Sequence, residues 1–107
     1  MSNARIENMD TVPIKNDLHK FKTNFTIYPN PSTGAILANY NLKEGGPVHI
    51  KLVDINGKVM ANLLDQVQSK GKYELNFLVP TSLKAGTYYL VLQTEKEQQV
   101  RKLVLLK

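Results

Sequence analysis

The sequence contains no cysteine and no tryptophan. Without cysteine there can be no disulfide framework, no thiolate metal site and no thiol nucleophile. This is compatible with the cytosol and equally with a bacterial surface protein that does without disulfides. Aromatic residues make up 7% of the chain. That is too few for a sugar-binding platform of several exposed rings, and the two or three aromatics interleaved with basic residues that a nucleic-acid stacking surface requires are absent. No apolar run approaches the roughly 20 residues of a membrane-spanning helix. Only two histidines occur, His19 and His49. Neither has a carboxylate or a second ligand at catalytic or metal-like spacing, and no glycine-rich loop leads into a helix to cradle a phosphate. The expectation is a non-catalytic protein without cofactor or metal.

What is present is ordinary for one globular domain: 107 residues, 42% hydrophobic and 21% charged. The formal net charge of +5 permits attraction to anionic polymers or lipopolysaccharide. The basic residues are scattered, however, and fall where a polar outer face or a loop would lie.

The chain divides near residue 25. Residues 1–24 hold few apolar residues, widely spaced, and Pro13 interrupts any helix across them. They read as a flexible linker or tail, with Ser2-Asn3-Ala4 fitting an expression-vector remnant. They lack the charged-then-apolar layout of a signal peptide. Residues 25–107 read as a single domain with a period of two. Ile36, Ala38, Tyr40 and Leu42 share one strand face, as do Val48, Ile50 and Leu52. Val59, Ala61 and Leu63 continue the inward set on the next strand. Residues 66–72 read as a polar loop. Tyr73, Leu75, Phe77 and Val79 alternate again, and Leu83 is expected to tuck under the sheet. Residues 87–94 have the highest β-propensity. Tyr88 and Tyr89 must face opposite ways, one into the core and the other exposed or edge-facing. The last run, Leu103-Val104-Leu105-Leu106, is apolar on both faces and predicts a strand with little water on either side. Short strands separated by turn signals every 8–12 residues or so predict an all-β sandwich or barrel of about seven strands.

Several motifs stand at defined places. Tyr28-Pro29-Asn30-Pro31-Ser32-Thr33-Gly34 has two prolines that hold the chain extended, then turn residues ending in a glycine free to take positive φ. Asp54-Ile55-Asn56-Gly57 opens like a calcium loop, but the further oxygen ligands are missing, so it reads as a hairpin turn with Gly57 in the left-handed position. Asn24-Phe25-Thr26 matches a glycosylation sequon, a short pattern that recurs by chance.

Taken in order, Tyr28-Pro29-Asn30-Pro31 with Gly34, then Asp54, Gly57 and Val59 after an alternating strand, then Leu83, Gly86 and Tyr88, then a lysine-bearing hydrophobic terminus resemble a type A C-terminal sorting domain of the bacterial type IX secretion system, as found in Bacteroidetes. The resemblance covers roughly residues 25–107. It implies an immunoglobulin-like antiparallel β-sandwich at the end of a longer secreted protein. It also implies recognition by an outer-membrane translocon, removal by a surface sortase that cuts upstream of residue 25, and attachment of the cargo to anionic lipopolysaccharide or its release. Candidate recognition residues are Pro29, Asn30, Pro31, Gly34, Lys102 and Lys107. Asp54, Gly57, Val59, Gly86 and Tyr88 are expected to carry the structural motif. Since an exported precursor needs a signal peptide, the chain is expected to be a fragment of a larger one. A competing reading of the same sandwich is a carbohydrate-binding or adhesion module using Tyr89.

Overall fold

The computed structural model describes residues 23–106. The expected tail as far as residue 22, together with His19 and Lys107, lies outside the described residues. Seven strands follow in order: β1 (Asn24–Tyr28), β2 (Ala35–Leu42), β3 (Gly46–Val53), β4 (Val59–Gln68), β5 (Gly71–Leu78), β6 (Gly86–Gln93) and β7 (Gln98–Leu105). They form two antiparallel sheets, one ordered β1-β2-β5 and the other β4-β3-β6-β7, with no helix among the described residues. The fold is an immunoglobulin-like β-sandwich, as the sequence pattern and the resemblance predict.

The period of two sets the core. Ile36, Ala38, Tyr40 and Leu42 on β2 meet Val48, Ile50 and Leu52 on β3 and Leu90 and Leu92 on β6. Leu83, as expected, closes the core from the β5–β6 connection. Three aromatic rings stack through the first sheet. Phe25 packs edge-on to Tyr40 at 6.5 Å, and Tyr40 lies nearly parallel to Tyr73 at 5.2 Å. The buried Tyr40 hydroxyl donates to Gln68 Oε1, which satisfies a polar tip that would be costly to bury alone. Burial pushes the Tyr40 phenol up to about 12, against the opposing effect of the Gln68 bond.

Two sequence expectations change here. Residues 66–72 are mostly strand: β4 continues to Gln68 and β5 begins at Gly71, leaving a two-residue turn. Ala61 and Leu63 pack against the core as expected, but Val59 does not share their inward phase. β4 carries irregularities opposite Ile50/Lys51 and Leu52/Val53, so that Leu64 pairs Ile50, Ala61 pairs Leu52 and Val59 pairs Val53. Each extra residue flips the side chains beyond it to the other face. Val59 therefore lies on the outer face, 43% exposed. Bulges of this kind also blunt β4, which is a sheet edge.

Candidate functional site: a clipped terminal strand

β7 is the last strand of the four-stranded sheet. One side pairs with β6, and the other is a free edge. A free edge presents unpaired N–H and C=O groups, which another strand can bind. Residues 30–32 cover it. The Asn30 carboxamide donates from Nδ2 to the Lys102 carbonyl at 2.7 Å, while its Oδ1 accepts from the Val104 amide at 2.9 Å. Two residues on, the Ser32 amide donates to the Val104 carbonyl at 2.9 Å, and the Leu106 amide donates to the Ser32 carbonyl at 2.7 Å. Ser32 thus forms a parallel bridge with Leu105. Asn30 repeats the same two-bond pattern around Leu103, with a side-chain amide acting in place of a peptide unit. The reason is local. Proline has no N–H, so neither Pro29 nor Pro31 can donate to the ladder, and the Asn30 side chain supplies the missing donor. Both proline bonds are cis.

The turn that follows is held by the Ser32 hydroxyl, which donates to the Ala35 carbonyl at 2.8 Å and accepts from the Gly34 amide at 3.0 Å. Gly34 adopts φ +140°, a backbone conformation that side chains disfavour, and its carbonyl receives the Val79 amide.

The clip extends toward the start of β1. The Arg101 guanidinium donates from Nε to the Phe25 carbonyl at 2.7 Å and sits 5.7 Å from the centre of the Phe25 ring. At the chain's first described residue, Thr23 donates both its amide and its hydroxyl to the Glu97 carboxylate at 2.7–2.9 Å. Gln99 Nε2 adds a further donor to the same carboxylate. Thr23 is buried. Residues 23–32 therefore run parallel to β7, from Glu97 to Leu106, joined at four places.

This geometry brings together candidates that the sequence keeps apart. Asn30 touches the backbone at Lys102, whose side chain is exposed, and Pro29 and Pro31 are exposed on either side of the contact. Gly34 shapes the turn. The remaining motif residues lie elsewhere. Asp54 Oδ1 accepts the amides of Asn56 and Lys58 in the β3–β4 turn, where Gly57 takes φ +86°. Gly86 opens β6, and Tyr88 is a buried core residue whose hydroxyl donates to the Lys84 carbonyl at 2.7 Å. Four residues back in the chain, this bond has the character of a tyrosine corner. Tyr89 is half-buried on the outer face beside Lys102. Thr23 and Glu97 had no sequence signal, because they are partners 74 positions apart in the chain and form no local pattern; Ser32 was legible as a turn residue, but not its bonds to the terminal strand.

Chemistry finds little purchase. His49 Nε2 lies 2.9 Å from Asn62 Oδ1 on the exposed outer face. Among the described residues no three histidine, aspartate or glutamate side chains gather as a metal site. Nor is any helix among them long and apolar enough to cross a membrane.

A two-sheet antiparallel sandwich with a clipped terminal strand defines a small immunoglobulin-like β module. The chain belongs to the secretion system C-terminal sorting domain family, whose model matches residues 26–106. That family is the sorting signal of type IX secretion and is non-catalytic in general. It implies interaction with the secretion system and delivery to the cell surface or beyond. No curated protein matches the chain.

Proposed function

We propose that this domain is a non-catalytic address label, which directs a cargo preceding it through the outer-membrane type IX translocon to the cell surface. The observation that carries the reading is the Asn30 bond pair to Lys102 and Val104, by which the proline-rich turn and the terminal strand form one surface. A translocon component that reads this surface senses the folded state, since the two pieces meet only once both sheets have formed. Pro29, Asn30, Pro31, Lys102 and Lys107 are the residues proposed to be read. Gly34 sets the turn that presents them. Of residues 1–24, expected from the sequence to be linker, Thr23 and Asn24 are fastened to the sandwich, so the part before Thr23 is the proposed cleavable linker, cut by a surface sortase, after which cargo is passed to anionic lipopolysaccharide or released. The Thr23–Glu97 clamp supports this division, because it fastens the chain to the sandwich immediately after the linker.

The test places the full chain behind a signal peptide and a reporter in a type IX-competent cell. Surface reporter is the expected result, with loss of export on deleting residues 102–107. Export that survives the deletion would overturn the reading.

A further inference from the structure

The two sheets have four outer strands, and three of them protect their free edge. β7 is covered by Asn30 and Ser32. β4 carries two irregularities that break the even spacing of its edge groups. β1 is five residues long and runs straight into Pro29 and Pro31. β5 has none of these devices. It pairs with β2 over all eight residues, Gly71–Leu78, with no register shift and no proline. Its one lysine, Lys72, is balanced by Glu74 two residues on. The Val79 amide continues the β2 ladder by donating to the Gly34 carbonyl. Successive residues of an antiparallel strand bond to opposite sides, so Lys72, Glu74, Asn76 and Leu78 aim their backbone groups at the free side. No strand among the described residues pairs there. A regular open edge of this length is a site for strand addition.

We propose that β5 pairs with β5 of a second copy of this chain, antiparallel about a two-fold axis through Tyr73. The proposal stands apart from the sorting reading. Self-complementarity selects the occupant. An axis through Lys72 or Glu74 would set like charges face to face, which destabilises a ladder. An axis through Tyr73 sets Lys72 opposite Glu74 of the second copy, and Glu74 opposite its Lys72. Both side chains are exposed on the outer face, free to form these two cross-strand pairs. The same axis completes an aromatic row. Register places Phe25, Tyr40 and Tyr73 side by side on the three strands, with ring centres 6.5 and 5.2 Å apart. The row stops at the β5 edge, where Tyr73 packs on the core yet is only half-buried. Across the axis two Tyr73 residues form a non-hydrogen-bonded pair, the kind with the closer side chains, and the row runs on into the second copy. Half-buried Leu75 then meets Gly71 of the second copy, which has no side chain to obstruct it. Such an interface is isologous and closes on itself.

Sedimentation equilibrium of the full chain over rising concentration is the test. A monomer–dimer equilibrium is expected. Lys72→Glu and Glu74→Lys should each weaken it by about tenfold, since each turns two attractive pairs into repulsive ones. The combined Lys72→Glu/Glu74→Lys exchange should restore it, because the charges trade places and the pairing survives. That rescue separates the contact from any effect of either charge on the fold, and these exposed sites should leave Tm within about 2 °C of the parent. The Glu74 amide should also exchange more slowly in the dimer than in the monomer. A chain that stays monomeric at about 1 mM overturns the proposal and leaves the edge to a strand of another protein. A dimer that ignores the single exchanges, is not rescued by the double one, or leaves the Glu74 amide unprotected assigns association to another surface. Each of these overturns the proposal as well.

Discussion

The Asn30 carboxamide donates to the Lys102 carbonyl at 2.7 Å although the two residues are 72 positions apart in the chain. Together with the return bond from the Val104 amide, it makes one side chain behave as a length of β-strand. A sheet edge that would otherwise be open to any strand is closed by the domain's own leading turn.

Replacing Asn30 with alanine leaves two edge groups without their protein partner, though water can reach them. A loss of about 0.5–1.5 kcal/mol is expected in urea unfolding. Asn30→Asp should cost at least as much, because the carboxylate keeps the Val104 bond and turns a donor into a charge facing the Lys102 carbonyl. Amide exchange at Val104 should rise in the alanine variant. Unchanged protection would show that the side-chain bond does not close the edge.

Glu97 holds Thr23 through both carboxylate oxygens, so Glu97→Ala removes charge-assisted bonds to a buried backbone amide. The expected cost is about 1–3 kcal/mol. It should be accompanied by faster proteolytic nicking near residue 23, whereas cleavage within the sheets should follow only global unfolding. Equal nicking in both proteins would separate the clamp from the integrity of this junction.

Tyr88 fills the core and anchors its hydroxyl at Lys84. Tyr88→Ala is expected to cost about 3–5 kcal/mol, and Tyr88→Phe about 1 kcal/mol, since the latter removes the hydrogen bond and keeps the ring. Denaturant midpoints for the pair check both halves. A loss under about 1 kcal/mol for the alanine variant would place the ring at the surface.

Tyr40 offers an optical test of the core. Burial raises its phenol to about 12 in the folded protein, so the folded state disfavours the charged form. Stability from this group is fully present below the ordinary tyrosine range near 10. It is lost as pH rises from there through 12, because the unfolded chain releases the proton first. Phenolate absorbance should show a step near pH 12, and Tyr40→Phe should remove it.

Much of the strand pattern was legible because a half-buried strand must alternate. Ile36 to Leu42 and Val48 to Leu52 needed no knowledge of their partners to reveal an inward face. Gly57 was legible for a similarly local reason, since its turn needs a conformation that glycine enters freely. The phase of β4 was not. Val59 and Leu63 look inward by counting, and only the pairing with β3 exposes the two irregularities that turn Val59 outward. The terminal run from Leu103 to Leu106 predicts a strand dry on both sides. Leu103 and Leu105 are buried, Val104 is half-covered and Leu106 is exposed. The segment is an edge strand whose hydrogen-bonding side is occupied by Asn30 and Ser32.

The sequence by itself determined an all-β chain, the faces of most strands, the proline-led turn and the likeness to a sorting signal, because each depends on residues close together. Only the tertiary structure decided that Tyr28 to Gly34 and the terminal strand are one site. The bonds from Thr23 to Glu97, from Arg101 to Phe25 and from Asn30 to Lys102 each join residues more than 70 positions apart. Such contacts leave no periodic trace in the chain, and they exist only once two separate sheets have packed.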